Sequence, residues 1–217
     1  HMLTPIASME PVHLDGLLVA ATTRAHLTRR DELPELPALP IVHLEMHGQR
    51  VYLSSSWQFP DGARMGREMM TKRRDGEDID WLRAPYTPGA GPGKNYQLPI
   101  ITTEAATVSW LVAGRREGVR KLLRYVRAVG TKRRQGYGAV ERWSVDAAPR
   151  PALDTIMSGD EAERFLPSAW LEHAEMTEVG PCCPPYWHPG RRAERVRPGW
   201  RCVLRADVRR AVEGVRC

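Results

Sequence analysis

The feature that most constrains this chain is a segment at residues 115–129 in which two faces are written at helical period. Val119, Leu122, Leu123, Val126 and Val129 recur at the three- and four-residue spacing of one side of a helix, and such a stripe needs an apolar layer to cover it. Arg116, Arg120, Arg124 and Arg127 fall within about 80° of one another on the same cylinder, beside the stripe. A helix of this kind packs on a sheet with one face and turns the neighbouring face toward an anion. Trp110, Leu122, Leu123 and Val126 are the side chains expected between helix and sheet.

The helix runs into GTKRRQGYG, from Gly130 to Gly138, where Lys132, Arg133 and Arg134 stand together between glycines. Glycine lets a backbone adopt positive φ and approach a ligand closely, presenting amide groups to phosphate oxygens. The three cations supply the counter-charge, arginine with a forked donor set. Tyr137 offers a ring on which an unpaired base stacks. Gln135 completes the loop, and Gly130, Gly136 and Gly138 punctuate it. A P-loop is excluded, because G-x-x-x-x-G-K-[ST] does not occur. A dinucleotide-binding turn follows a strand and opens a helix, the reverse of the order here. The candidate RNA-binding set on these two elements is Arg116, Arg120, Arg124, Gly130, Lys132, Arg133, Arg134, Gln135, Gly136, Tyr137 and Gly138. The bland alternative is a solvated helix-to-strand linker.

Charge distribution favours the first reading. Residues 114–142 hold ten Lys or Arg and two Glu, a local charge of +8, and the whole chain carries +6, so the remainder stands at −2. That is a basic stripe on an otherwise slightly acidic protein, as a nucleic-acid binder requires, although a solvated charged face gives the same count. No apolar run reaches the 18 residues of a membrane helix. The apolar segment 14–21 is short, carries Asp15 and lacks a basic flank, so it does not read as a signal peptide, and a cytoplasmic location is expected. Cys182 and Cys183 are adjacent instead of C-x-x-C spaced. Zinc on Cys182, Cys183, His188 and Cys202 is therefore the minor alternative to reduced thiols, and no metal or other cofactor is expected.

Along the chain, residues 3–9 read as a strand. A helix follows in VHLDGLLVAATTRAHL, with Asp15 as its cap and Leu14, Leu17, Leu18, Ala21 and Ala25 on one face. Three prolines in LPELPALP make residues 33–40 a connector. Strands are expected at 41–46 and 50–59, joined as a hairpin at 47–49. Residues 60–96 mix charge runs with a Pro/Gly tract and show no sustained periodicity, which marks a functional excursion, poorly ordered near 64–94. Strand pattern resumes at 97–113 and again at 139–145. The sum is an α+β chain approximating βαββαβ: a ferredoxin-like (RRM-like) domain over 3–145 with a basic insertion at about 60–96. A smaller, loop-rich C-terminal region occupies 146–217, with a short helix near 160–169 and a terminal strand at 200–205.

Three stretches carry a family resemblance. The glycine loop Gly130-x5-Gly136-x-Gly138 and HLDGLL at the first helix resemble the RAMP (repeat-associated mysterious protein) superfamily of CRISPR-associated proteins. PPYWHP near the C-terminus and the basic excursion make the chain most similar to the Cas5-like subunit of type IV CRISPR effector complexes. The resemblance implies a subunit that holds the five-prime handle of a CRISPR RNA, beside other RAMP backbone subunits and a large subunit that examines target DNA. It also implies that residues 60–96 form a thumb, placing Lys72, Arg73 and Arg74 near RNA or the adjoining subunit. Superfamily relatives cleave RNA without metal through a general base, so His13 and His26, flanking the first helix, are the alternative catalytic candidates. No partnered nucleophile or carboxylate pair is recognisable and no catalytic residue is assigned. A nucleic-acid-binding module unrelated to CRISPR is the third reading.

Overall fold

The computed structural model describes residues 1–22, 37–72, 96–186 and 188–215. Ile6–Ala7 (β1) and Leu14–Thr22 (α1) open the fold, and His43–Met46 (β2) and Gln49–Tyr52 (β3) form the expected hairpin. That turn is made by His47 and Gly48 at φ 51° and 71°, the two positive values that a two-residue hairpin turn demands. Arg64–Lys72 (β4) and Tyr96–Glu104 (β5) pair antiparallel over nine residues each, and Arg116–Leu123 (α2) follows. Every strand ladder among the described residues is antiparallel.

β4 corrects the expectation that order would be lost from residue 64. The segment reads as aperiodic because Arg64 through Met69 are all exposed. An alternating pattern is legible only where one face of a strand is buried. Residues 73–95, the rest of the excursion, lie outside the described residues, as does Ala25 of the first helix.

β1 is the hinge of the sheet. Ala7 is registered with Thr102 of β5 on one side and bridges Thr131 on the other, so the glycine loop continues the layer β1-β5-β4. α2 is shorter than its stripe: Tyr125 and Val126 donate to carbonyls three residues back, which tightens and ends the helix. The chain then extends and pairs at Ala128 with Ala139. Val126 and Val129 are still buried, and Leu123 with them, whereas Trp110 and Leu122 are only partly covered.

Two core clusters meet across β3. Tyr52 points into one with Leu14, Leu18, Val119, Leu123 and Val129, while Val51 joins another with Leu166, Trp170, Val196, Val208 and Val212. That split follows from the alternation of side chains along a strand. Beyond residue 146 the strands are Met157–Ser158 (β6), Glu161–Ala162 (β7), Leu166–Pro167 (β8), Leu171–Ala174 (β9), Glu178–Pro181 (β10), Arg192–Val196 (β11) and Cys202–Leu204 (β12). The helix expected near 160–169 is replaced by β7, β8 and a 3-10 turn at Ser168–Trp170. The helix of this region is Ala206–Glu213 (α3), whose Val208 and Val212 are buried one turn apart. The strand expected at 200–205 is present as β12, and α3 follows it.

Candidate nucleic-acid interface

The basic loop is exposed but not loose. Its stem is tied to the N-terminal strand: the Thr131 backbone N–H and Oγ1 donate to the Ala7 carbonyl at 2.7 and 2.8 Å, and the Gly138 N–H donates to Pro5 at 2.7 Å. Thr4 Oγ1 donates to the Gly136 carbonyl at 2.7 Å and accepts from the Ala139 N–H at 2.8 Å. Between those ties, Lys132 is left-handed at φ 56°, Arg133–Gln135 forms a 3-10 turn, and Gly136 sits at φ 91°. Arg133, Arg134 and Gln135 are exposed and Lys132 half-buried. Among the described residues, none of the three cations forms an ion pair. Charge is thus displayed on a closed, pinned turn.

The glycines also have a cause within the chain. A Cβ on Gly138 would lie 1.9 Å from the Val129 carbonyl oxygen, and one on Gly130 would lie 2.7 Å from that of Ala7. These two glycines close the loop on its own chain and need no phosphate to explain them. Gly136 is the exception, with positive φ and open space where a Cβ would go. Tyr137 is also engaged: its hydroxyl donates to Glu68 Oε2 of β4 at 2.5 Å, and this bond raises the phenol's pKa by holding its proton. Sheet and loop are latched together through that contact.

The arginine face is only partly as expected. Arg116 Nε donates to the Val145 carbonyl at 2.9 Å, Arg120 lies 3.5 Å from Glu117, and Arg124 follows the last turn of α2. Arg127 leaves the helical cylinder for the extended segment, where its carbonyl accepts from Val140. Lys72 closes β4, and Arg73 and Arg74 lie outside the described residues.

Sequence reasoning missed a second charged cluster. Asp15 does not cap α1; it sits inside the first turn, fully buried, with Oδ2 3.1 Å from Arg164 Nη2. Arg164, also fully buried, donates from the same nitrogen to the Tyr186 hydroxyl at 3.0 Å and to the Cys182 carbonyl at 3.2 Å. Its other terminal nitrogen reaches the carbonyls of Tyr52 and Ser54. Burial works against the guanidinium's charge and the Asp15 carboxylate offsets it. Tyr186 donates to the same carboxylate at 2.9 Å, and a Cβ on Gly16 would come within 3.0 Å of its ring, which accounts for glycine in the helix. HLDGLL and PPYWHP are therefore halves of one contact. The only sequence signal was the pairing of an Asp and a Tyr in two apolar or Pro-rich settings.

His13 belongs to this cluster. It is buried, its ring centroid 4.8 Å from that of Phe165 and 5.3 Å from that of Tyr186. Burial, then the charges of Arg164 and Arg195, hold it well below the usual histidine pKa, with the Ser55 backbone pulling weakly the other way. It is a neutral core side chain with no exposed nitrogen to offer a 2′-hydroxyl; His26 lies outside the described residues. Burial pushes the Cys182 thiol up to about 12 and the Cys202 thiol up to about 11. Among the described residues no three His, Cys, Asp or Glu side chains converge on a metal position, and no helix is long and apolar enough to cross a membrane.

The structure thus defines an α+β protein whose arginine-rich surface is mounted on a pinned glycine loop. Residues 85–197, which are 113 of the 217, match the family of CRISPR type IV associated protein Csf3, and the chain belongs to that family. A comparison with curated proteins gave no match.

Proposed function

We propose that this protein is the Cas5-like, RNA-binding subunit of a type IV CRISPR effector complex, working in the cytoplasm in antiviral defence, and that it holds the five-prime handle of the CRISPR RNA. The observation that carries the reading is the basic loop: Lys132, Arg133 and Arg134 are accessible, unpaired among the described residues, and held on a backbone that needs no RNA to take shape. Preformed cations avoid the ordering cost that a disordered basic segment pays on binding. Membership of the type IV family supports a role beside other subunits of a type IV CRISPR complex. The bridge of Thr131 to Ala7 of β1, and the pairing of β1 with β5 and of β5 with β4, support the ferredoxin-like reading, with β4 and β5 as its central pair. On this reading residues 60–96 are the thumb-like insertion, next to RNA or a neighbouring RAMP subunit, with the large subunit and target DNA beyond.

The test is a salt titration of binding to single-stranded handle RNA and to a scrambled RNA of equal length. Replacing Lys132, Arg133 and Arg134 by Ala is expected to weaken binding and to reduce the log–log salt slope by about two units, at roughly 0.7 per lost phosphate contact. An unchanged slope refutes the loop as the RNA site. Equal affinity for handle and scrambled RNA refutes the handle role and favours a general nucleic-acid module.

A further inference from the structure

A cleft of about 740 Å³ lies between the end of α2 and the chain after the glycine loop, lined by Arg120, Arg124, Arg127, Val126, Glu141 and Trp143. We infer that this cleft is a nucleotide pocket in which an unstacked base of single-stranded RNA lies on Trp143 while its flanking phosphates meet Arg120, Arg124 and Arg127. The inference rests on the RNA-binding reading and adds a site apart from the basic loop.

Three observations carry it. The indole is a fixed platform: its N–H donates to the Val126 carbonyl at 2.8 Å, and its ring packs on Trp110 with centroids 5.8 Å apart. With its one polar atom satisfied, a half-buried tryptophan offers a cleft only its π-face, which suits any base. The three arginines are exposed, and Arg124 and Arg127 form no ion pair among the described residues. Glu141, the one carboxylate of the lining, repels phosphate and so assigns the backbone to the arginine side and the base to the tryptophan side. The volume falls within the range of about 300–1,000 Å³ that holds small organic ligands. The site is also in line with the loop. Ala128 pairs with Ala139, so the cleft and the 132–136 tip are opposite ends of one short hairpin, and about five extended residues, or roughly 16 Å, separate them. A single strand gripped at the tip reaches the cleft within a few nucleotides.

The experiment uses the full chain and a single-stranded RNA carrying 5-iodouridine at successive positions. Irradiation is expected to cross-link one position to Trp143, identified by mass spectrometry of the digested protein. Trp143→Leu is expected to lower affinity roughly five- to a hundredfold with the salt slope unchanged. Because Trp143 is partly in the core, Arg124→Ala with Arg127→Ala serves as the second variant. It is expected to keep the wild-type melting curve and lower the slope by about 1.4 units. RNA that binds normally to the arginine variant and never cross-links to Trp143 overturns the inference, while a slope still lowered by the Lys132, Arg133 and Arg134 changes leaves the loop reading standing. Failure of the unaltered protein to bind RNA overturns both. Cleft-dependent binding of polyglutamate, with RNA binding untouched by either variant, assigns the cleft to an acidic protein instead.

Discussion

Two regions of this molecule use nearly the same residue types to opposite ends. Asp15, Arg164 and Tyr186 form a buried cluster in which the guanidinium meets a carboxylate, two hydroxyls and four backbone carbonyls. Lys132, Arg133, Arg134 and Tyr137 form an outer one in which the loop's stem is tied to the N-terminal segment and the three cations form no ion pair among the described residues. In the first, water is gone and every charge is answered within the chain, so the cluster can only hold the structure together. In the second, the chain spends its hydrogen bonds on the loop's stem and leaves the charges to be answered from outside. A structural arginine is told from one free to bind by what surrounds it, not by its neighbours in sequence.

The comparison breaks most readily at the buried cluster. Arg164→Met leaves Asp15 without its partner in a site closed to water, and removing one member of a buried pair costs about 3–5 kcal/mol. Urea unfolding is expected to show that loss. The same core holds Tyr52 and packs α1 against α2, so RNA affinity should fall only in step with the folded fraction. A melting midpoint close to wild type would mean that the cluster is hydrated and that the contrast drawn here is wrong.

The glycines sharpen the same contrast inside the loop. Gly138→Ala forces a Cβ to 1.9 Å from the Val129 carbonyl oxygen at φ 67°, so the stem must open, and a loss of about 3 kcal/mol is expected. Gly136→Ala meets nothing within 4 Å and carries only the strain of a positive φ, about 1 kcal/mol. Thermal melts of the two variants side by side check the order. Equal losses would show that Gly136 is packed, and therefore not a surface open to a ligand.

What could be read from sequence divides along the same line. The helix stripe, the hairpin at His47–Gly48 and the basic loop were legible because each is local: a period, a turn, a run of charge. β4 was not, because both faces of the strand are exposed and leave no alternation. α3 is eight residues long with two buried valines, too short for a period to stand out. Nor was the Asp15–Arg164 pair legible: its members are 149 residues apart, and a lone Asp at a helix start has the same appearance whether it caps or is buried. At Gly130 and Gly138 the spacing points to a ligand's approach, and the chain's own carbonyls also come close there. Spacing shows where backbone must come close. It does not show to what.

Tyr137 lies on the boundary between the two kinds of cluster, and the smallest effect is expected there. Its hydroxyl donates to Glu68 at 2.5 Å, a structural contact, while in sequence the residue follows the exposed cations of the loop. Tyr137→Phe removes only the latch between loop and β4. Exposed hydrogen bonds of this kind contribute at most about 1 kcal/mol, so stability should change little. If the ring also stacks on a base, Phe keeps that platform, and RNA affinity should stay near wild type. Tyr137→Ala removes the ring as well, and binding is then expected to weaken by about 1–3 kcal/mol at an unchanged salt slope. The two variants measured together separate the roles. If Phe binds as weakly as Ala, the latch positions the loop and no base stacks at residue 137. If both bind as wild type does, the loop reads phosphate alone.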